Sequence, residues 1–481
     1  MKQKILLSLI IILINLEYTP AQWQPAVRLT NNTAFSGLSN NNASSFATVG
    51  NVVHTVWYDD RDGNNEIYYK RSTDGGISWG TDKRLTNNSF VSEWPSISAS
   101  DLNVHVIWYD NRDGNPELYF KHSSDGGESW GTDTRLTNAV GNSYNPSMSV
   151  SGQTLHIVWY DNRDGNNEIY YKRSIDNGTN WGADTRLSNN SALSWDPAVA
   201  VSGNFVHIVW WDERDGNYEI YYIRSTDGGI NWGTEIRLTN DGAQSGFVNI
   251  SALDSLVFLI WDDNRDGNHE IYYKLSTNNG VSWGIDTRLT NDSGHSERPT
   301  SFISSQFLHV TWEDDRDGNN EIYYNRSTDL GITWESDTRV TNNSNDSDRP
   351  FVSVTDSVVG IIWMDNRDGN YEIYYKRNPI GNPLDIKNLT PEGPYLFSLK
   401  QNYPNPFNPI TAIEFDLSKT SEVSLKVFNL LGEEVATLVS NRLSAGSYSY
   451  EWDASNLASG VYLYKLEARD YVETRKMVLM R

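Results

Sequence analysis

Residues 159–174 read WYDNRDGNNEIYYKRS, and close copies of this phrase recur along the chain. The arginine of the RDG triplet falls at Arg61, Arg112, Arg163, Arg214, Arg265, Arg316 and Arg367. The tryptophan four places earlier falls at Trp57, Trp108, Trp159, Trp210, Trp261, Trp312 and Trp363, so both advance by 51 residues at every step. Seven in-phase copies without insertion are the mark of a repeat architecture. Each copy parses into four short strands. In the third copy NPSMSVSG (145–152) and TLHIVWYD (154–161) alternate, EIYYKRS (168–174) follows the charged turn, and DTRLS (184–188) ends the unit. Leu155, Ile157 and Trp159 share one strand face, and His156, Val158 and Tyr160 the other. Four strands per unit, repeated radially, predict a β-propeller.

Closure is written into the chain ends. Six units carry W-x4-R-[LV]-[TS]-N after their Gly turn, from Trp79 and Arg84 to Trp334 and Arg339. The seventh runs into Arg377-Asn378-Pro379 without it, and the missing piece stands near the start as Trp23 and Arg28-Leu29-Thr30-Asn31. An N-terminal strand completing the last blade leaves no open sheet edge there. The expected fold class is all-β: a seven-bladed β-propeller closed by the N-terminal strand, followed by a small β-sandwich.

After the third strand come STDGGISW (72–79), SSDGGESW (123–130), SIDNGTNW (174–181), STDGGINW (225–232), STNNGVSW (276–283) and STDLGITW (327–334). These six turns fit S-x-[D/N]-x-G-x-x-W and resemble the Asp-box of sialidase-like (BNR-repeat) propellers, over about residues 22–378. The resemblance implies a structural hairpin in which Asp74, Asp125, Asp176, Asp227, Asn278 and Asp329 bind backbone N–H groups. Its Gly would supply positive φ and its Trp would pack between blades. It also implies that these turns lie opposite the functional face, which would carry the RDG turns and the links between blades.

The motif D-x-R-D-G-N-x-E admits two readings. Asp161, Asp164, Asn166 and Glu168 offer hard oxygens for Ca2+, but Arg163 stands among them and would repel a cation. Alternatively Asp-Gly-Asn makes a tight hairpin and Arg163 bridges carboxylates of its own or the neighbouring blade. Repetition favours the second, because a unit stacked on copies of itself needs the same joint each time. His54, His105, His156, His207 and His309 recur at one strand position beside apolar neighbours, which indicates packing rather than metal binding. No other cofactor is expected.

If identical positions build the ring, specificity belongs where the copies differ. The links just before the innermost strands read Asn42/Ala43, Glu93/Trp94, Tyr144/Asn145, Trp195/Asp196, Gly246/Phe247, Glu297/Arg298 and Asp348/Arg349. Trp94, Tyr144, Trp195 and Phe247 offer flat apolar faces suited to sugar rings. Arg298 and Arg349 could grip a carboxylate or sulfate. Trp94, Tyr144, Trp195, Asp196, Phe247, Glu297, Arg298 and Arg349 are therefore the candidate ligand-binding residues, the alternative being that the aromatics only plug the channel. A retaining sialidase would require three converging arginines, a Tyr–Glu nucleophile pair, an Asp acid and usually an F/Y-R-I-P segment. Only Arg298-Pro299 and Arg349-Pro350 echo that segment. Glycosidase chemistry needs two placed carboxylates, and Glu93, Asp196, Glu297 and Asp348 are candidates only at the rim.

Composition limits the partners. The 481-residue chain is 12% aromatic and 21% charged, with a formal net charge of -23 and no cysteine. Such an acidic surface repels nucleic acid and anionic lipid, and disulfides and thiolate metal sites are excluded. MKQKILLSLIIILINLEYTPAQ has Lys2 and Lys4, an apolar run from Ile5 to Leu16 and a small-residue exit at Ala21. That layout predicts a signal peptide over 1–21 and no transmembrane segment in the mature chain.

The propeller would occupy 22–378 and a Pro/Gly linker 379–394. Within the remainder, 395–481, QNYPNPFNP (401–409), VFNLLGEEVATL (427–438), SGVYLYKLEA (459–468) and KMVL (476–479) closely resemble the type A sorting domain of type IX secretion cargo. The resemblance implies engagement of the type IX machinery and release or cell-surface attachment. The expected function is exported, non-catalytic binding of a glycan or other extracellular ligand. A sialidase-like glycoside hydrolase and a protein–protein scaffold are the alternatives.

Overall fold

The structure is a computed structural model that describes residues 23–40, 43–305, 307–355, 358–379, 381, 397–417, 421–443, 446–469 and 471–480. The expected signal peptide and nearly all of the expected linker lie outside the described residues. The chain divides into two compact units, Met1–Leu384 and Asp385–Arg481. Among the described residues every element is a strand.

The first unit is a β-propeller, and its described residues form seven antiparallel sheets. In the third, Ser143–Ser151, Thr154–Asp161, Glu168–Ser174 and Thr185–Arg186 pair in chain order. The second strand is buried on both faces, with Trp159 fully enclosed, because sheets stack on either side of it. The innermost strand begins at 143 rather than 145, since a bulge between Tyr144 and Ser147 lets both ends pair. The outermost strand shrinks to two residues because a side chain takes over its ladder: Ile169 N–H donates to Ser188 Oγ at 2.8 Å.

Successive innermost strands lie side by side around the ring, and the last, Ser347–Val354, lies against the first, Phe46–Val49. The last sheet takes Val27–Arg28 as its outer strand, in register with Tyr375 and Tyr374. Arg28 Nη2 then meets Glu372 at 2.9 Å, the contact that Arg186 makes to Glu168 at 2.8 Å inside one repeat.

Aromatic pairs join neighbouring sheets edge to face. Trp130 meets Tyr69 at 4.9 Å, Trp181 meets Phe120 at 5.1 Å, Trp232 meets Tyr171 at 4.8 Å and Trp283 meets Tyr222 at 5.1 Å. Trp334 on Tyr273, Trp79 on Tyr375 and the N-terminal Trp23 on Tyr324 repeat the contact at 5.3, 5.1 and 5.2 Å. Each pair contributes roughly 0.5–1.5 kcal/mol beyond area burial.

The RDG turn is bonded mainly within its own sheet. Arg163 Nε and Nη2 donate to Asp161 at 2.8 and 2.6 Å, Nη1 reaches Asp184 at 2.7 Å, and the guanidinium lies 4.4 Å over Tyr170. Asp161 also accepts from Ser143 Oγ and Trp159 Nε1. Burial opposes its ionisation, yet these hydrogen bonds hold it below the usual carboxylate range. Arg265 and Arg316 additionally take Asp241 and Asp292 of the preceding link, at 2.7 and 2.8 Å.

The strand histidines point their rings at neighbouring tyrosines. His54, His156, His207 and His309 Nδ1 lie 2.7–2.8 Å from Tyr69, Tyr171, Tyr222 and Tyr324 hydroxyls. His105, where phenylalanine replaces that tyrosine, stacks on His122 at 4.7 Å. Burial lowers His54, His156 and His207 to about 4.

The second unit pairs Ser398–Leu399, Ile410–Leu417 and Gly446–Asp453 in one sheet, and Glu434–Leu443, Ser421–Phe428, Gly460–Ala468 and Tyr471–Leu479 in another. Phe415, Leu425, Val427, Tyr464, Leu466 and Met477 form its core. Period-two burial along Ile410–Leu417 follows the sequence alternation.

Candidate functional site

The links and the RDG turns meet at one end of the ring. Ser92 N–H donates to Asn65 O at 2.8 Å, and Asn65 Nδ2 donates to Glu93. The Ser-to-Trp turns stand at the opposite end, where Gly75 N–H binds Asn51 O of the other hairpin. There each acidic or amide side chain accepts a backbone N–H. Asp74 receives Ile77 and Ser78 N–H at 3.0 and 2.9 Å, and Asp125, Asp176, Asp227, Asn278 and Asp329 receive the N–H four residues on at 2.8–2.9 Å.

At the link end, the bulge in six sheets forces the second residue of each pair into the left-handed region. Trp94, Asn145, Asp196, Phe247, Arg298 and Arg349 have φ of 50, 47, 44, 40, 51 and 52°. A non-glycine residue there costs on the order of 1–2 kcal/mol, and six side chains of five kinds accept that cost at one repeat position. Asn42 lies outside the described residues, and Ala43 is buried.

Half of the rim is aromatic. Trp94, Tyr109, Tyr144, Tyr160, Trp195, Trp211 and Tyr218 touch in sequence, with centroid separations of 5.6, 5.2, 5.7, 5.0, 5.9 and 4.5 Å. Six of the seven are partly accessible, and Tyr160 in the middle is buried. The chain crosses three sheets. At one end the Tyr109 hydroxyl donates to Glu93; within it Asn145 Nδ2 donates to Asp196. Enclosure by protein raises Asp196 to about 6, against the opposing effects of Asn145 and Arg298.

The other half is charged. The Arg298 guanidinium lies 4.8 Å over the Phe247 ring and 3.4 Å from Glu313 Oε1. Arg349 N–H donates to Glu313 Oε2 at 2.9 Å, and its Nη1 donates to Leu38 O at 3.1 Å. Glu313 is 3% exposed, and burial pushes it up to about 7, with the Asp348 and Glu297 charges adding to the rise. Asp348 accepts from Asn320 Nδ2 and from the Tyr371 hydroxyl, at 2.9 and 2.7 Å. Glu297 lies 3.9 Å from His269, which binds Asp262 at 2.6 Å.

The sequence-predicted candidates thus fall into two groups: Trp94, Tyr144, Trp195 and Asp196 along the aromatic arc, and Phe247, Glu297, Arg298 and Arg349 along the charged one. Sequence reasoning missed the residues beneath them. The second-strand position just after the constant Trp reads Tyr58, Tyr109, Tyr160, Trp211, Asp262, Glu313 and Met364. The position before the third strand supplies Tyr218, His269, Asn320 and Tyr371. Comparing these columns across the repeats, as was done for the links, would have found both. The arrangement combines an extended stacking surface, two arginines and two carboxyls, Asp196 and Glu313, that burial raises above the usual carboxylate range.

Comparison with curated proteins finds no match. Among solved structures, the polysaccharide lyase Uly1 aligns with a TM-score of 0.51 at 10% identity, over 74% of this chain and 99% of that one. The phage phi92 endosialidase aligns with a TM-score of 0.46 at 10% identity, over 86% and 74% of the two chains. A Trypanosoma rangeli sialidase mutant gives 0.42 at 13% identity, over 83% and 86%. The lyase alignment establishes the shared fold of the first unit. Residues 401–480 match the secretion system C-terminal sorting domain, the type IX signal that directs a chain to the cell surface or the medium.

Proposed function

We propose that this is an exported propeller that binds an anionic glycan across its link-end rim without turning it over. The observation that carries this reading is the unbroken aromatic chain from Trp94 to Tyr218, facing an arc that holds Arg298 and Arg349. Pyranose rings present apolar C–H faces that stack on such rings, and guanidinium forks suit carboxylate or sulfate. The first prediction follows: on an array of neutral, carboxylated and sulfated glycans, the full chain retains an anionic class. Trp195→Ala weakens that binding at least about tenfold, the loss of one buried aromatic contact, and Arg298→Ala/Arg349→Ala removes its salt dependence. A blank array would overturn the reading and favour a protein–protein scaffold.

A second reading, a sialidase-like glycoside hydrolase, is favoured by the Tyr109–Glu93 and Tyr371–Asp348 pairs beside carboxyls that titrate near neutrality. Turnover of sialosides or aryl glycosides that is abolished in Glu313→Gln, with binding retained, would establish it over the first.

A further inference from the structure

We propose that His269, His295 and Glu297 form a transition-metal site, with Zn2+ the best-suited ion, at the joint between the fifth and sixth sheets. The chain has eight histidines. Six belong to strand packing: five at the repeated strand position, and His122 stacked on His105. The two others stand 26 residues apart in sequence, one ending the fifth RDG turn and one in the following link, and their rings lie 5.7 Å apart. One nitrogen of each and one Glu297 oxygen fall within 4.8 Å of one another.

The repeat makes this juxtaposition informative. At the position of His269 the other copies carry Asn65, Pro116, Asn167, Tyr218, Asn320 and Tyr371. At the position of His295 they carry Phe35, Val91, Asn142, Leu193, Gln244 and Asp346. No fold constraint shared by the sheets therefore asks for imidazole at either place, yet both departures occur at the same joint.

A second, independent feature points the same way. Asp262, 1% exposed, replaces the tyrosine or tryptophan of the aromatic blades, and Gly246 opposite it leaves its carboxyl room. Its Oδ2 lies 2.6 Å from His269 Nδ1, while its buried Oδ1 has no hydrogen-bond partner among the described residues. Buried carboxylate oxygens without a donor recur at Glu66, Glu117, Glu219, Glu270, Glu321 and Glu372, so the Asp262–His269 contact is what distinguishes this joint. A carboxylate holding Nδ1–H also fixes the imidazole tautomer and leaves Nε2 as the lone-pair atom, the support that metal-bound histidines characteristically have; Glu297 Oε1, which lies 3.9 Å from Nδ1, swings to join Nε2 around the ion. His295 Nδ1 accepts the His269 backbone N–H at 3.3 Å, which likewise leaves its Nε2 for a ligand bond. Arg298 is the nearby positive charge, and Glu313 and the Phe247 ring engage it.

Two imidazoles and a carboxylate suit zinc, which such sites hold at about 2.0–2.2 Å with a fourth position open. Calcium, which takes oxygen, does not suit them. His295 is exposed and the His269 and Glu297 side chains are partly so, so small rotations can close the donors around an ion.

The test is equilibrium dialysis of the full chain against ZnCl2 after chelation, with elemental analysis, and against CoCl2 with visible spectroscopy. The expected result is one zinc per chain, intense four-coordinate cobalt bands, and no displacement by excess CaCl2. His295→Ala removes the bound metal with unchanged tryptophan fluorescence, Asp262→Asn weakens it by about tenfold, and His122→Ala leaves it intact. Wild-type protein that takes up no zinc, or uptake that survives His295→Ala, would overturn the assignment.

Discussion

Glu313 occupies a strand position that is tyrosine in three sheets and tryptophan in a fourth, and it is the buried acid on which both rim arginines converge. Burial raises it from an ordinary 4.5 to about 7. Its neutral form is therefore favoured by folding, and the stability this confers is complete below about 4.5 and lost as pH rises through about 7. Glu313→Gln, which fixes a neutral side chain of the same shape, should gain on wild type across that window. The gain is at most about 1.4 kcal/mol per pH unit. Urea midpoints between pH 4 and 8 read this directly, and a difference independent of pH would refute it. Asp196, raised to about 6, adds a smaller loss of the same sign at lower pH.

The turn opposite the rim is an element whose chemistry the molecule has already varied. Asn278 holds Ser282 N–H at 2.9 Å, as Asp227 holds Asn231 N–H at 2.9 Å. Asp227→Asn should leave the thermal midpoint nearly unchanged while Asp227→Ala lowers it; equal effects would mean that charge, not acceptance, matters there. Gly229 is stricter. Its φ is +79°, and a methyl group would overlap the Tyr171 hydroxyl of the preceding sheet, which His156 also contacts. Gly229→Ala should cost more than about 1 kcal/mol by chemical denaturation. These turns were legible because their polar atoms bond within a few residues. The rim was legible only in part. Trp94, Trp195, Arg298 and Arg349 stand in visibly variable links, but Tyr109, Trp211, Asp262 and Glu313 sit inside strands whose alternation reads as packing. The bulge that sets link residues beside them is a change of register, which alternation does not encode.

At the scale of the ring, the 51-residue period and the strand displaced to the N-terminus made the architecture readable, because both are arithmetic rather than propensity. The displaced strand makes a prediction of its own. A chain beginning at Asn32 loses Arg28 from the buried Glu372, Trp23 from Tyr324, and the cover on the edge strand Glu372–Asn378. It should lose about 3 kcal/mol or more and associate through the bared edge. A monomer by light scattering with an unchanged denaturation midpoint would show that closure contributes little. The same feature makes the ring a cyclic word whose first letter is arbitrary. Gln24 N–H donates to Arg377 O at 2.9 Å, so the two ends already adjoin. A short join there, with a new opening at the exposed Gly203–Asn204 hairpin tip, would permute the chain order and keep every sheet intact.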